Sequence, residues 1–249
     1  MAESQIRNDF HMTICPLTEI SQFEKCVELQ RLTWGVDDVD LLPPRMYLIQ
    51  SKVGGLVLGA FEGERLIGYL NAMPGIRNGM PYWHSQMLAI APEYQNHGIG
   101  FRLKIAQRDC AKDRGISLIQ WTYDPLESRN AYFNLEKLGV IVRNYFVNLY
   151  GPPRGTLHRG LDTDRVIAEW WIDQSRIAPK ENIRRLFVPA DIQSLKKQSP
   201  KSAQDIQVRV REQFLQNLKE DYFAAGFERT DEWSAYLFVP GASRVHQAN

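Results

Sequence analysis

Apolar residues along this chain recur with the two periods that are typical of strands and of helices. The two-residue period predicts strands over residues 12–16, 54–61, 65–72, 83–90, 116–123, 140–150, 165–172, 226–227 and 233–239. The 3.6-residue period predicts helices over residues 19–31, 43–50, 101–114, 125–138 and 203–225. Because strands and helices alternate through most of the chain, the pattern predicts an α/β fold.

Local signals predict where these elements begin and end. The step Glu62-Gly63-Glu64 between two apolar runs predicts a β-hairpin, and residues 74–81 are expected to form a loop. Thr18 is predicted to cap the first helix, and Pro44 to lie in the first turn of the second. The sequence Asp124-Pro125-Leu126-Glu127 predicts another helix start, with cap, proline and carboxylate in order.

The stretch from Trp83 to Arg114 predicts a strand, a glycine loop and a helix that ends at Gly115. Two glycines let the loop turn tightly, and the following helix directs free N–H groups and its positive dipole end toward it. This pattern predicts capture of an anion such as a pyrophosphate. The dinucleotide fingerprint would need a third glycine where Leu103 stands, and the Gly-Lys-Ser/Thr of a P-loop is absent.

Composition narrows the classes of protein. Of 249 residues, 44% are hydrophobic and 24% charged, the profile of an ordinary globular protein. A net charge of +1 gives no argument for nucleic acid or a membrane as a partner. The first ten residues lack the apolar core of a signal peptide. Cys15, Cys26 and Cys110 lack metal-ligand spacing and are expected to be reduced thiols, so we expect a cytoplasmic protein without a metal.

The motif Gln-x-x-Gly-x-Gly follows a strand that ends in Leu-Ala-Ile-Ala-Pro-Glu-Tyr, and together they resemble the acyl-CoA loop of the GNAT superfamily of N-acyltransferases. Asn130-Ala131 ahead of Leu138-Gly139 is similar to the second helix motif of that family. Residues 121–125, 150–151, 160–161 and 164–165 resemble a poorly characterised subfamily of predicted GNAT acetyltransferases. The resemblance covers roughly residues 12 to 173. It implies a GNAT-type mixed β-sheet flanked by helices, followed by a C-terminal helix–strand extension.

The same resemblance implies acetyl-CoA, or another acyl-CoA, as co-substrate. The strand backbone would pair with the pantetheine arm, and the loop amides would hold the pyrophosphate. Family loops carry Arg or Lys where Asn96 and His97 stand here, so phosphate attraction rests more on backbone donors, helped by Arg102 or Lys104. The residues implied for acyl-CoA are Leu88, Ala89, Ile90, Gln95, Asn96, His97, Gly98, Ile99, Gly100 and Asn130.

Two residues are candidates for acid–base chemistry. His84 takes the position of the catalytic glutamate of histone-type members, eleven places before Gln95, and histidine suits proton removal near neutral pH. The alternative is a histidine that only hydrogen-bonds a neighbour. Relatives place a tyrosine acid where Leu135 stands, so Tyr132, one turn earlier, is the candidate acid, with Tyr145 and Tyr150 as alternatives. A core role for the Tyr132 ring is the competing interpretation.

Asp124 and Arg165 are candidates for binding the acceptor. Asp124 either recognises an amine or only caps the next helix. Arg165, with Arg129, Arg143 and Arg159, suits a carboxylate on the acceptor or the acyl group, and the alternatives are solvated surface charge and, for Asp164-Arg165, a structural ion pair.

We therefore predict a core over residues 12–175 and an extension over residues 176–249 that packs on it. The predicted activity moves an acetyl or succinyl-like group from CoA to a small amine such as an amino acid, by direct attack in a ternary complex. The alternatives are a non-catalytic acyl-CoA sensor and a protein lysine acetyltransferase. A homodimer is compatible with this expectation.

Overall fold

The computed structural model describes residues 12–35, 38–151, 161–179 and 181–241. The chain divides after Gly115 into two compact units. Both units combine an antiparallel sheet with helices, and the fold as a whole is the mixed α/β fold that the sequence predicts.

The first unit holds four strands and three helices in the order β1 (Met12–Pro16), α1 (Ile20–Trp34), α2 (Pro44–Lys52), β2 (Leu56–Glu62), β3 (Arg65–Arg77), β4 (Met80–Ile90) and α3 (Ile99–Asp113). Its strands lie in sequence order, each antiparallel to the next. The hairpin predicted around Gly63 is confirmed, with Glu62 paired to Arg65.

The prediction of a loop over residues 74–81 is wrong. Strands β3 and β4 continue through this region and pair as far as Arg77 and Met80. Asn78 and Gly79 form the turn with φ of 52° and 77°. A type I′ hairpin turn requires two left-handed residues, so an Asn-Gly pair permits the long hairpin.

The predicted cap of α1 is also wrong. Glu19, and not Thr18, is the N-cap residue. The side-chain oxygen of Gln22 accepts hydrogen bonds from the backbone N–H of Thr18 and of Glu19, at 2.9 and 3.1 Å. A glutamine in the first turn therefore satisfies these donors from inside the helix.

The core of the first unit lies between its sheet and the helices α1 and α2. Phe23, Cys26, Tyr47 and Tyr69 are fully buried there. The Tyr47 hydroxyl donates to that of Tyr69 at 2.9 Å and accepts from Gln30 at 2.8 Å. Burial raises the pKa of Cys26 to about 12, so this thiol stays protonated and serves as packing.

The second unit holds β5 (Leu118–Tyr123), α4 (Ser128–Tyr132) with a π-helical continuation (Phe133–Leu138), β6 (Ile141–Phe146), β7 (Arg165–Trp171), β8 (Arg184–Pro189), α5 (Ile192–Gln198), α6 (Pro200–Lys219), β9 (Tyr222–Arg229) and β10 (Trp233–Pro240). The spatial order of its strands is β5-β7-β6-β9-β10-β8. All the pairs are antiparallel.

The C-terminal part of the chain differs from its prediction in two ways. The long helix ends at Lys219, and residues 222–225, predicted as helix, belong to β9. The run Tyr-Phe-Ala-Ala fits either period, and pairing with β10 decides for the strand. In addition, the sequence pattern did not predict β8 and α5.

The C-terminal extension shares its interior with the preceding elements of the second unit. The Ser128 hydroxyl on α4 lies 2.7 Å from that of Ser234 on β10. A carboxylate oxygen of Glu136 accepts a hydrogen bond from the backbone N–H of Phe227 at 2.7 Å. Phe214 of α6 packs its ring against Tyr145, Tyr236 and Phe238. The boundary at residue 175 stays a prediction.

No helix in the part of the chain that the structure describes is both long and apolar enough to span a membrane.

Candidate functional site

The loop between β4 and α3 has a backbone shape that suits an anion. A short 3-10 turn at Pro92–Tyr94 leads into it, and the N–H of Gln95 donates to the Pro92 carbonyl at 3.3 Å. Asn96 and Gly98 then adopt left-handed conformations, with φ of 65° and 76°. Left-handed residues of this kind let successive N–H groups converge on one side, where they bind oxyanions.

Gln95 itself is used in building this loop. Its side-chain amide donates to the carbonyl of Ile90 at 3.2 Å, while its backbone N–H is held in the turn. The donors that we assign to a ligand are therefore those at the start of α3.

The residues present fit a pyrophosphate at the start of α3. The helix has Gly98 as its N-cap, and its first intrahelical N–H donor is that of Arg102, 3.1 Å from the Gly98 carbonyl. The preceding N–H groups of a helix have no intrahelical acceptor, which makes them donors for a bound anion. A Cβ added at Gly98 would meet no atom within 4 Å, and one at Gly100 only the Leu88 side chain at 3.6 Å. The loop thus presents an open face to a ligand.

The two cations expected to assist this loop do not both serve it. Lys104 is buried, and its ammonium group donates to Ser85 at 2.9 Å and to Gln107 at 3.1 Å. Its expected role at the phosphates is therefore wrong. Burial lowers the pKa of Lys104 well below its ordinary value. Arg102 is exposed and reaches the Met12 carbonyl at 3.5 Å, so attraction of an anion rests chiefly on the backbone.

Strand β4 contains a bulge at Gln86 that the sequence pattern did not reveal. Asn71 of β3 pairs with Met87 and Ala72 with Ser85, which leaves Gln86 without a partner on β3. The consecutive side chains of Gln86 and Met87 lie on the same face, toward α2. Bulges of this kind redirect backbone groups and are frequent beside active sites.

Amide side chains hold the bulge in place. Gln86 accepts hydrogen bonds from Gln50 at 2.8 Å and from Asn71 at 3.1 Å, and Asn71 also donates to Gln50 at 2.7 Å. The Oδ1 atom of Asn71 is buried without a hydrogen-bond partner among the described residues. The only sequence signal for this cluster was a polar Ser-Gln pair inside an apolar strand.

His84 lies on β4 two residues before the bulge, paired with Met73 of β3. The side chain of Ser85 points toward α3, where it accepts a hydrogen bond from Lys104. Because neighbouring side chains on a strand point to opposite faces, the His84 ring faces away from α3. Burial, with the charge of Lys104 adding, lowers the pKa of His84 below its usual 6.5. Within the described part of the chain no hydrogen bond of its ring is found. The ring is thus disposed to be neutral at pH 7 and able to accept a proton.

The remaining predicted residues lie in the second unit. Asn130 is exposed on α4. The Tyr132 ring lies between two cations, with the Lys137 ammonium 5.5 Å and the Arg229 guanidinium 5.6 Å from its centroid. Leu135, at the family position of the acid, is fully buried. Tyr132 is only partly buried, and it stays the candidate acid.

The carboxylate of Asp124 has structural partners. It accepts a hydrogen bond from the N–H of Leu126 at 2.9 Å and lies 3.8 Å from the buried ammonium of Lys196. The helix that it was predicted to cap begins only at Ser128, with Glu127 as the N-cap, so that prediction is wrong. Asp124 instead stabilises the turn that precedes α4.

The alternative interpretation of Arg165, a structural ion pair with Asp164, is not what the structure shows. The Arg165 guanidinium donates to the backbone carbonyl of Asp164 at 2.7 Å and lies 5.3 Å from the centroid of the Tyr150 ring. The Asp164 carboxylate is bound by Arg211 of α6. Arg143 lies 3.8 Å from the buried Glu169, and Arg159 lies outside the described residues.

Comparison with known proteins agrees with the resemblance of the loop to that of the GNAT family. Residues 23–139 match the model of the acetyltransferase (GNAT) family. A comparison with curated proteins found no match. Three solved structures resemble the fold with a TM-score of 0.52 each.

The first of these is the ribosomal-protein-S18-alanine N-acetyltransferase of Escherichia coli, at 16% identity over 69% of this chain and 97% of that one. The second is a putative GNAT acetyltransferase of Desulfovibrio desulfuricans, at 14% identity over 65% and 99%. The third is an aminoglycoside 6'-acetyltransferase type Ii, at 19% identity over 66% and 99%. At these identities the likeness shows a shared fold. With the family match and the shared fold, residues 23–139 are an acetyltransferase domain of the GNAT family.

Proposed function

We propose that this protein transfers an acetyl or succinyl-like group from CoA to the amine of a small acceptor such as an amino acid. The observation that carries the proposal is the loop before α3, with left-handed Asn96 and Gly98 and an open face at the helix start. Backbone donors there suit the pyrophosphate of CoA and would hold it without a basic side chain in the loop.

The reaction proposed is a direct attack in a ternary complex. The acceptor nitrogen forms a bond to the thioester carbonyl carbon, the carbon–sulfur bond breaks, and the sulfur leaves with the electron pair as thiolate. His84, directly or through a water molecule, removes the proton that the attacking amine must lose. Its lowered pKa favours the neutral ring that this role needs.

Positioning supplies much of the rate in such a mechanism. The backbone of β4 from Leu88 to Ile90 is proposed to hold the pantetheine arm in the manner of an added strand. Backbone N–H groups near Leu88 would polarise the thioester carbonyl. The bulge at Gln86 supports this role, since it changes the direction of the neighbouring backbone groups.

Protonation of the leaving thiolate is assigned to Tyr132. Leu135, which is buried at the family position of the acid, has no acidic proton to donate. Because a thiolate is a tolerable leaving group near neutral pH, we expect the contribution of Tyr132 to be modest. Asn130, Asp124 and Arg165 are proposed to contact acyl-CoA or the acceptor.

The test begins with thermal unfolding of the protein alone and with CoA, acetyl-CoA or succinyl-CoA, since a ligand of the native state raises the midpoint. The acyl-CoA that raises it most is then incubated with a panel of amino acids, other small amines and lysine peptides while thiol release is followed. Turnover with a small amine supports the proposal. A shift without turnover on any amine supports an acyl-CoA sensor, turnover confined to peptides supports a protein acetyltransferase, and no shift with any CoA species overturns the loop assignment.

A further inference from the structure

A cavity of about 460 Å³ lies within the second unit, between the start of α4, the start of α5 and the turn that joins β9 to β10. Five charged side chains line it: Glu127, Arg129, Asp191, Arg229 and Asp231. Its size falls within the usual range for small-molecule sites. Both signs of charge are present, so a ligand with a single sign of charge would leave part of the lining unmatched.

The walls of this cavity are held by internal hydrogen bonds. In the β9–β10 turn, the Thr230 hydroxyl donates to the Trp233 carbonyl at 2.8 Å and accepts from the Trp233 N–H at 3.1 Å. Asp191 caps α5 through the N–H and hydroxyl of Ser194, at 3.0 and 2.6 Å. A cavity with walls fixed in this way does not have to be ordered by its ligand, which favours affinity.

Two of the lining carboxylates already have partners within the protein. Glu127 accepts a hydrogen bond from Gln193 and lies 3.9 Å from the buried Lys196 ammonium. Asp191 is occupied by Ser194. We therefore assign the carboxylates of Glu127 and Asp191 to the wall of the cavity and not to ligand binding.

Three lining groups remain for a ligand. All three are exposed side chains, and among the residues that the structure describes the guanidinium groups of Arg129 and Arg229 donate no hydrogen bond to a protein group, and the Asp231 carboxylate accepts none. The charge of Arg129 also acts on the neighbouring Asp191 carboxylate, so Arg229 and Asp231 are the pair that the protein itself uses least. Arg229 lies against the Tyr132 ring, which limits its freedom without using its N–H donors. A guanidinium fork matches a carboxylate, and a carboxylate matches an ammonium group.

We infer that this cavity is a second ligand site, which binds a small zwitterion of the α-amino acid class. The ligand carboxylate lies against Arg129 and Arg229, and its ammonium group against Asp231. The inference does not depend on the proposed acyl transfer, since the binding requires neither CoA nor His84.

The experiment is calorimetric titration of the full-length protein, free of CoA, with the twenty common amino acids. We expect at least one to bind, and binding at the acceptor site of the proposed reaction is distinguished by being unaffected by the two substitutions below. Its des-amino analogue, which keeps the carboxylate and lacks the ammonium group, should bind at least tenfold more weakly. Arg229→Gln and Asp231→Asn should each weaken binding roughly ten- to a hundredfold, as expected for loss of a charge-assisted hydrogen bond.

Lys197→Gln provides the control. Lys197 is exposed on α5 and does not line the cavity. Its replacement by Gln removes one positive charge, as Arg229→Gln does. It should bind the amino acid as tightly as the unaltered protein. The inference is overturned if no amino acid binds at millimolar concentration, if Arg229→Gln binds as well as Lys197→Gln, or if the des-amino analogue and Asp231→Asn show no loss.

Discussion

Arg211 of α6 binds the buried carboxylate of Asp164 through two hydrogen bonds, from Nε at 2.8 Å and from Nη2 at 2.9 Å. Asp164 is almost fully buried, and it also accepts from the Tyr145 hydroxyl at 2.5 Å and from the Asn148 N–H at 3.0 Å. Burial is the main cause that raises the pKa of the Tyr145 hydroxyl, and its hydrogen bond to the Asp164 carboxylate raises it further. The segment ahead of β7 is thus tied to a helix of the C-terminal extension.

Removing Arg211 should leave a buried carboxylate without its cation. We expect Arg211→Met to lower the free energy of unfolding by about 3 kcal/mol, the usual cost of breaking a buried ion pair from one side. Denaturant titration would measure it. Arg209→Met, on the same helix but exposed and with one hydrogen bond to the Phe187 carbonyl at 3.3 Å, is the control and should change stability by less than about 1 kcal/mol. Equal effects in the two variants would show that the ion pair contributes nothing.

The pH dependence of the rate should report His84. Because burial and the charge of Lys104 lower the pKa of His84, the neutral base persists below pH 6.5. We expect kcat/KM to be constant near neutrality and to fall only as the pH drops below 6.5 and through the lowered pKa. His84→Gln should abolish this acid limb and reduce kcat roughly 100- to 1,000-fold, with an unchanged midpoint shift by CoA.

Tyr82→Phe serves as the control for that experiment, since Tyr82 lies on the same strand two residues earlier. It should retain both the rate and the pH profile. If His84→Gln keeps the acid limb, another group carries the proton and the assignment of His84 as the base is wrong.

Alanine at the two loop glycines should separate backbone strain from ligand contact. Gly98 has a φ of 76°, so Gly98→Ala should cost about 1–2 kcal/mol of stability and weaken CoA binding. Gly100 lies inside α3 with room for a Cβ, so Gly100→Ala should leave stability unchanged or slightly raised. If the loop binds the pyrophosphate, Gly100→Ala still weakens CoA binding because the methyl group obstructs the approach.

Denaturant titration measures the first effect and calorimetry with CoA the second. A Gly100→Ala protein that binds CoA as the unaltered protein does would contradict close contact between the loop and the ligand.

Tyr132→Phe tests the acid with little structural change. The ring remains between Lys137 and Arg229, so the midpoint of thermal unfolding should stay within about 1 °C. We expect kcat to fall by about tenfold near neutral pH, with the loss smallest at high pH, where the leaving sulfur is stable as a thiolate and needs no proton. An unchanged kcat at every pH would assign the Tyr132 ring to packing alone.

Features that depend on neighbouring residues were predictable from the sequence. The glycine loop, the hairpin at Gly63 and the start of α2 at Pro44 each follow from a few adjacent residues with restricted backbone conformations. The Asn78-Gly79 turn belongs to the same class, and the loop prediction over residues 74–81 gave too little weight to it.

Features that depend on distant partners were not predictable. The bulge at Gln86 requires amides from α2 and β3, and Asp124 is held by Lys196, which lies 72 positions later in the chain. Pairing with β10 turns residues 222–225 into a strand although their apolar pattern also fits a helix. Local propensity leaves such choices to tertiary contacts.

The ties between early and late residues of the second unit also affect how it forms during translation. Ser128 leaves the ribosome 106 residues before Ser234, and Asp164 leaves 47 residues before Arg211. At about 5–20 residues per second, these partners are separated by seconds of synthesis. Half-made chains therefore carry a sheet that lacks β9 and β10, and the second unit completes its folding only after residue 240 has emerged.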